Sequence, residues 1–202
     1  LNFEWLKYIS PLLGVGLGAL LAPYIEGRKA SAESRKALKA FYSELEDYLQ
    51  DAPTYVRNFH AGYSKAKKSE VGIITKNEEV FPLDLAPKIE FLTINNLIEK
   101  SFLQLTSDQR KAVKALVLLS TAINEKKDSL SNIRDIADLK DKKSKFWSAA
   151  RMSASFYYVV SRLHHEKERF VYHNETNEEC CKKALDALNL SFDFKDLLQR
   201  KA

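Results

Sequence analysis

The stretch YISPLLGVGLGALLAPYI, residues 8–25, decides how the rest of this chain is read. It runs for 18 residues without a formal charge, with Lys7 before it and Glu26, Arg28 and Lys29 after it. As a helix rising 1.5 Å per residue it covers about 27 Å, against roughly 30 Å for the hydrocarbon core of a bilayer. Trp5, Tyr8 and Tyr24 stand where interfacial aromatics collect. A buried helix of a water-facing domain carries a polar stripe, and this run has none. A cleaved signal peptide needs a more basic start than Lys7 and an Ala-x-Ala step after the apolar run. Pro11 falls near the first turn, where its missing N–H is tolerated, and Pro23 stands at the exit. The expectation is a single N-terminal transmembrane helix, with residues 1–29 forming the anchor and its flanks.

Two features of the flanks and face extend this reading. Arg28, Lys29, Arg35, Lys36 and Lys39 follow the run within about 15 residues, whereas Lys7 is the only basic residue before it, so the body is expected on the cytoplasmic side. Gly14, Gly18 and Ala22 recur at four-residue spacing, with Gly16 between them. Small residues so placed leave one face shallow, and a second helix gains van der Waals contact there. Self-association through Gly14, Gly18 and Ala22 follows, with Glu26, Arg28 and Lys29 ringing the mouth of any assembly.

Beyond residue 29 the pattern is helical. Ala37, Phe41, Leu45, Tyr48 and Leu49 recur at helical intervals up to Pro53, expected as a stop. Tyr55, Val56, Phe59 and Tyr63 mark a second stretch, residues 54–64. Residues 71–75, VGIIT, resemble a short strand, and Pro82 and Pro87 bracket an irregular loop. Helices are expected over residues 88–105, from about 107 to 127, 130–139, 142–172 and 177–188. Thr106-x-x-Gln109 and Thr176-x-x-Glu179 read as capping boxes, and Asn189 as a C-terminal break. The fold class is therefore all-α: the anchor helix continues into a cytoplasmic bundle, residues 30–202, with about seven helices in all.

Composition agrees with a globular body. Of 202 residues, 45% are hydrophobic and 29% charged, with six Gly and five Pro, which excludes collagenous and disordered classes. The net charge of +5 permits contact with nucleic acid or anionic lipid without requiring it. Cys180 and Cys181 are adjacent and cannot build a disulfide framework, which points to a reducing compartment. There is no Walker loop, no Gly-x-Gly-x-x-Gly and no strand–helix alternation, so nucleotide-binding α/β folds are excluded.

Side chains able to carry chemistry cluster in SRLHHEKERFVYH, residues 161–173. His acts as acid or base near neutral pH and Arg holds phosphate, a set suited to metal-free RNA cleavage. Arg162, His165, Arg169 and His173 are the candidates. A solvated helix end accounts for the same charges. His164, His165, His173, Cys180 and Cys181 include zinc-type ligands but lack a paired Cys-x-x-Cys spacing, and neither a metal nor a cofactor is expected. Lys140, Lys142, Lys143 and Lys145 read as a solvated helix start or a contact for anionic headgroups.

The stretch resembles the HEPN superfamily of helical domains, whose ribonuclease motif is an Arg, four to six residues, then a His. Arg169 and His173 enclose three residues, Arg162 and His165 two, and Lys167 to His173 fits with Lys in place of Arg, a divergent form. One membrane helix followed by a HEPN-like body resembles the small membrane accessory proteins of type VI, RNA-targeting CRISPR systems. That resemblance implies a homo-oligomeric pore in the bacterial inner membrane that strengthens antiphage defence, with an RNA-guided nuclease or RNA as activator. The alternatives are a membrane-tethered helical binding module and a membrane-tethered HEPN-type ribonuclease.

Overall fold

The periodic apolar positions on either side of Pro53 fall on one seam, and the chain keeps that seam in a single helix. The computed structural model describes residues 5–77, 83–172 and 175–190, with side chains from residue 21 onward. Helix α1 runs from Trp5 to Glu70 without a break. The stop expected at Pro53 does not occur. A proline inside a helix costs about 3 kcal/mol. Tyr55, Val56, Phe59, Tyr63 and Ala66 are all buried beyond it. Each large apolar side chain so placed contributes about 1.5–3 kcal/mol, so burial outweighs the lost hydrogen bond.

The remaining helices are α2 (Ile94–Ser101), α3 (Ser107–Leu130), α4 (Ile136–Asp141), α5 (Lys143–Glu166) and α6 (Asn177–Ala187). Six α-helices and no strand stand among the described residues, against the seven helices expected. Both capping boxes form as read: the Thr106 hydroxyl accepts from the Gln109 N–H and the Thr176 hydroxyl from the Glu179 N–H, and each N3 side chain answers its cap. Helix α6 ends as expected at Asn189, whose φ is 55°. The Leu190 N–H donates to the Leu185 carbonyl at 2.9 Å and the Asn189 N–H to the Asp186 carbonyl at 3.1 Å. That pair of bonds with a left-handed residue between them is the Schellman ending.

Three other expectations are corrected. Residues 71–75 form a turn, not a strand: Gly72 takes a φ of +77° and Val71 and Ile73 are exposed. The helix expected from residue 88 begins at Ile94, and residues 83–91 are neither helix nor strand. Side chains from helices hold that irregular backbone. Asn124 pairs with Ile89 in both directions, at 2.9 and 2.8 Å, and the Tyr48 hydroxyl donates to the Glu90 carbonyl at 2.8 Å. Finally, α5 stops at Glu166 and not at residue 172, since Lys167 takes a φ of 48° and starts a 3₁₀ turn, Lys167–Arg169.

The chain divides into two compact units. One comprises residues 1–41 and 93–102, the other residues 42–92 and 103–202. In the first, Ser34 and Ser101 are buried and joined at 2.9 Å between hydroxyls. In the second, α5 packs against α3 and α6. Gly62 on α1 makes room for Phe146 on α5: a Cβ at Gly62 would lie 2.3 Å from the Phe146 ring, which is fully buried.

Candidate functional site

Arg162 is the best-placed cation of the sequence-predicted cluster, and its geometry shows what it does. Its Nε and Nη2 donate to the two Glu166 oxygens at 2.6 and 2.8 Å, a bidentate pair one helical turn apart. Nη2 also donates to the Val171 carbonyl at 2.8 Å, and Nη1 lies 3.9 Å from Glu175. The guanidinium faces the Phe170 ring at 5.0 Å and the Tyr158 ring at 5.7 Å. The Glu166 hydrogen bond raises its pKa further. Arg162 therefore ties the end of α5 to the connection that leads into α6, and its donors are already engaged by protein acceptors.

Glu175 is the matching anion. Its carboxylate receives Lys183, the Tyr158 hydroxyl at 2.5 Å and the Cys180 thiol at 3.8 Å. The Lys183 hydrogen bond, followed by that of Tyr158, holds its pKa below the ordinary carboxylate value. Burial and then the Glu175 charge push the Cys180 thiol up, and burial raises Cys181 to about 11. Both cysteines stay protonated at neutral pH, the opposite of what a nucleophile or a zinc ligand needs.

His165 is exposed, and its Nδ1 lies 2.6 Å from the Ser161 carbonyl, which can only accept, so Nδ1 donates to it. His164 meets it edge to face, ring centres 5.2 Å apart, with its own Nδ1 buried and unpaired. Arg169 is exposed in the 3₁₀ turn. His173 lies outside the described residues. The structure thus joins Arg162 to Glu166 one turn along and to Glu175 beyond the helix end, while His165 bonds within its own helix. No group of three His, Cys, Asp or Glu side chains suited to a metal occurs among the described residues.

The anchor residues are placed as follows. Gly14 and Gly18 lie on the helical backbone of α1, and their surroundings fall outside the described side chains. Ala22, Glu26, Arg28 and Lys29 are exposed, as is every residue from 21 to 32. Among the described residues no helix is long and apolar enough to cross a membrane. Of the run 8–25, only the side chains from Leu21 on are described.

A cleft that the sequence reading missed opens between α3, α5 and α6, with a volume of about 400 Å³. Leu118 and Leu119 from α3, Met152 and Val159 from α5, and Tyr172 form apolar walls. Trp147, Arg151, Asn177 and Cys180 complete it, and the Arg151 guanidinium lies 4.5 Å from the centre of the Trp147 ring. Its residues come from three elements far apart in sequence. The available signal was Arg151 within the otherwise apolar and small-residue stretch FWSAARMSASF, residues 146–156.

Comparison with protein-family models, with curated proteins and with solved structures finds no match to this chain.

Proposed function

We propose that this chain is a membrane-anchored protein whose first helices assemble into an oligomeric pore. The observation that carries the reading is the exposure of α1 on every face from residue 21 to residue 32. Leu21, Tyr24 and Ile25 are 50%, 61% and 60% exposed, and they close an uncharged run of 18 residues. Leu21, Tyr24 and Ile25 stand at i, i+3 and i+4 on one face of the helix, and lipid together with copies of the same helix would cover that face. Residues 8–25 span the bilayer, Gly14, Gly18 and Ala22 form the helix contacts, and Glu26, Arg28 and Lys29 ring the cytoplasmic mouth and set ion preference. Following the resemblance to type VI CRISPR accessory proteins, the pore acts in antiphage defence at the bacterial inner membrane. An RNA-guided nuclease or its RNA is then the activator.

The test is the mass of the purified protein in mild detergent, corrected for bound detergent. A closed assembly of about five or more chains is expected, since one helix per subunit must ring a lumen. A monomer or dimer would remove the pore. Gly14→Leu and Gly18→Leu should each shrink the assembly; unchanged size in both would exclude this contact face.

A second reading, a membrane-tethered binding module, is favoured by the cleft between α3, α5 and α6. It predicts that an unrelated monomeric membrane helix in place of residues 8–25 preserves activity, whereas a pore fails. The tethered ribonuclease needs His164, His165 or His173, and full activity in a triple His→Ala variant would end it.

A further inference from the structure

We propose that the cleft between α3, α5 and α6 is a binding site for an aliphatic carboxylate, with the carboxylate on Arg151 and the chain along Leu118, Met152 and Val159. The inference rests on the helical body alone and stands whether or not the first helix forms a pore. Clefts of about 300–1,000 Å³ with mostly apolar walls and a few placed polar groups are the usual form of small-ligand sites, and this one holds about 400 Å³. Its rim carries large apolar surface open to water: Leu118 is 70% exposed and Tyr172 40%.

Charge selects the class of ligand. Arg151 is the only cation among the lining residues, and none of them is an acid. Among the described residues no ion pair joins Arg151 to a carboxylate; its neighbours are the Trp147 ring and the Cys181 thiol, and the Glu178 charge is felt at that thiol from outside the lining. The nearby Glu175 does not line the cleft and is held by Lys183, Tyr158 and Arg162. A guanidinium held against an aromatic face in an apolar cleft keeps the donors that the Cys181 thiol does not take for an incoming anion. One guanidinium matches a carboxylate in bidentate geometry, whereas a dianionic phosphate calls for a second cation that the cleft lacks. The walls on either side, Leu118, Leu119, Met152 and Val159, are aliphatic, and the Trp147 face is already covered by Arg151, which favours an alkyl chain over a planar ring.

The test uses the full chain in lipid nanodiscs with Trp5→Phe, so that fluorescence reports Trp147, and with empty nanodiscs as the blank. Octanoate, octanol and octyl phosphate are titrated in turn. Octanoate is expected to give a saturable change in Trp147 emission, with octanol and octyl phosphate at least about tenfold weaker. Leu118→Glu alters an exposed position and is expected to weaken octanoate at least about tenfold by placing a like charge at the rim, with helicity and melting unchanged. Arg151→Leu is expected to abolish the preference for octanoate over octanol. Absence of saturable octanoate binding, equal binding of octanoate and octanol, or full octanoate affinity in Leu118→Glu would each overturn the proposal. Tighter binding of octyl phosphate would overturn the carboxylate assignment. A hydrophobic peptide ending in a free carboxylate, compared with its amide, distinguishes a chain terminus from a free fatty acid as the source of the group.

Discussion

At the scale of single residues, Gly62, Lys167 and Arg162 each make a measurable commitment. The missing Cβ of Gly62 is what lets the buried Phe146 ring lie against α1. Gly62→Ala is expected to destabilise the fold by about 1–3 kcal/mol through overpacking, read as a lower urea midpoint, and Phe146→Leu in the same chain should recover part of the loss. Lys167 adopts a φ of 48° where α5 turns into its 3₁₀ end, and its carbonyl accepts from Gln109 at 2.9 Å. A residue without a Cβ relieves that conformation, so Lys167→Gly should raise stability by about 1 kcal/mol in the same titration. Arg162→Ala should cost about 2 kcal/mol, because it removes the bidentate bond to Glu166 and the bond to the Val171 carbonyl, and Arg162→Lys should recover little, lacking the planar fork.

Glu175 adds a pH signature. Its folded pKa is lowered from 4.5, first by the Lys183 hydrogen bond and then by that of Tyr158. The unfolded chain therefore binds more protons as pH falls below about 4.5, and stability drops there until the folded value is passed. Glu175→Gln should flatten the stability profile between that point and the acid limb, with the wild type and the variant converging at the lowest pH.

Elements show why some of the fold could be read in advance. A capping box needs only residues three apart, so Thr106 with Gln109 and Thr176 with Glu179 were legible as soon as their spacing was seen. Asn189 was legible for the same reason, as a residue that tolerates the left-handed region. Thr176→Ala is expected to cost about 1 kcal/mol by removing one such cap, with α6 signals in NMR weakening before those of α5. What could not be read was decided by distant partners. Pro53 carries a local stop signal that burial of Val56 and Phe59 overrides. The helix expected from residue 88 starts late because the partners of Ile89 and Glu90, Asn124 and Tyr48, belong to helices tens of residues away. Arg162 and Arg169 were both read as phosphate-holding candidates. Glu166 stands one turn beyond Arg162 and was legible as its partner, whereas only the fold shows Val171 and Glu175 engaging it as well.

For the whole molecule, the proposed membrane helix and the helical body would make separable demands. The membrane reading of residues 8–25 rests on a length set by bilayer thickness and on no tertiary contact, and among the described residues no helix is long and apolar enough to cross a membrane. The cleft was not legible, since α3, α5 and α6 supply its lining from residues 115 to 180. Replacement of Leu21, Tyr24 and Ile25 by Ser should leave urea unfolding of the body unchanged within about 0.5 kcal/mol, because these side chains are exposed, while reducing extraction-resistant membrane association in a flotation assay.

Helix α6 is only 11 residues long, shorter than the roughly 12–15 at which an isolated helix becomes even marginal in water. Cys181, Ala184 and Leu185 bury against Val56 and Ala154, while Glu175 and Arg162 hold the entry to the helix from outside. Its backbone order is thus borrowed from its docking. In amide hydrogen exchange, residues 177–187 should open as one cooperative unit and ahead of α3 and α5. A molecule that parts α6 from α5 would then unfold the helix rather than displace it.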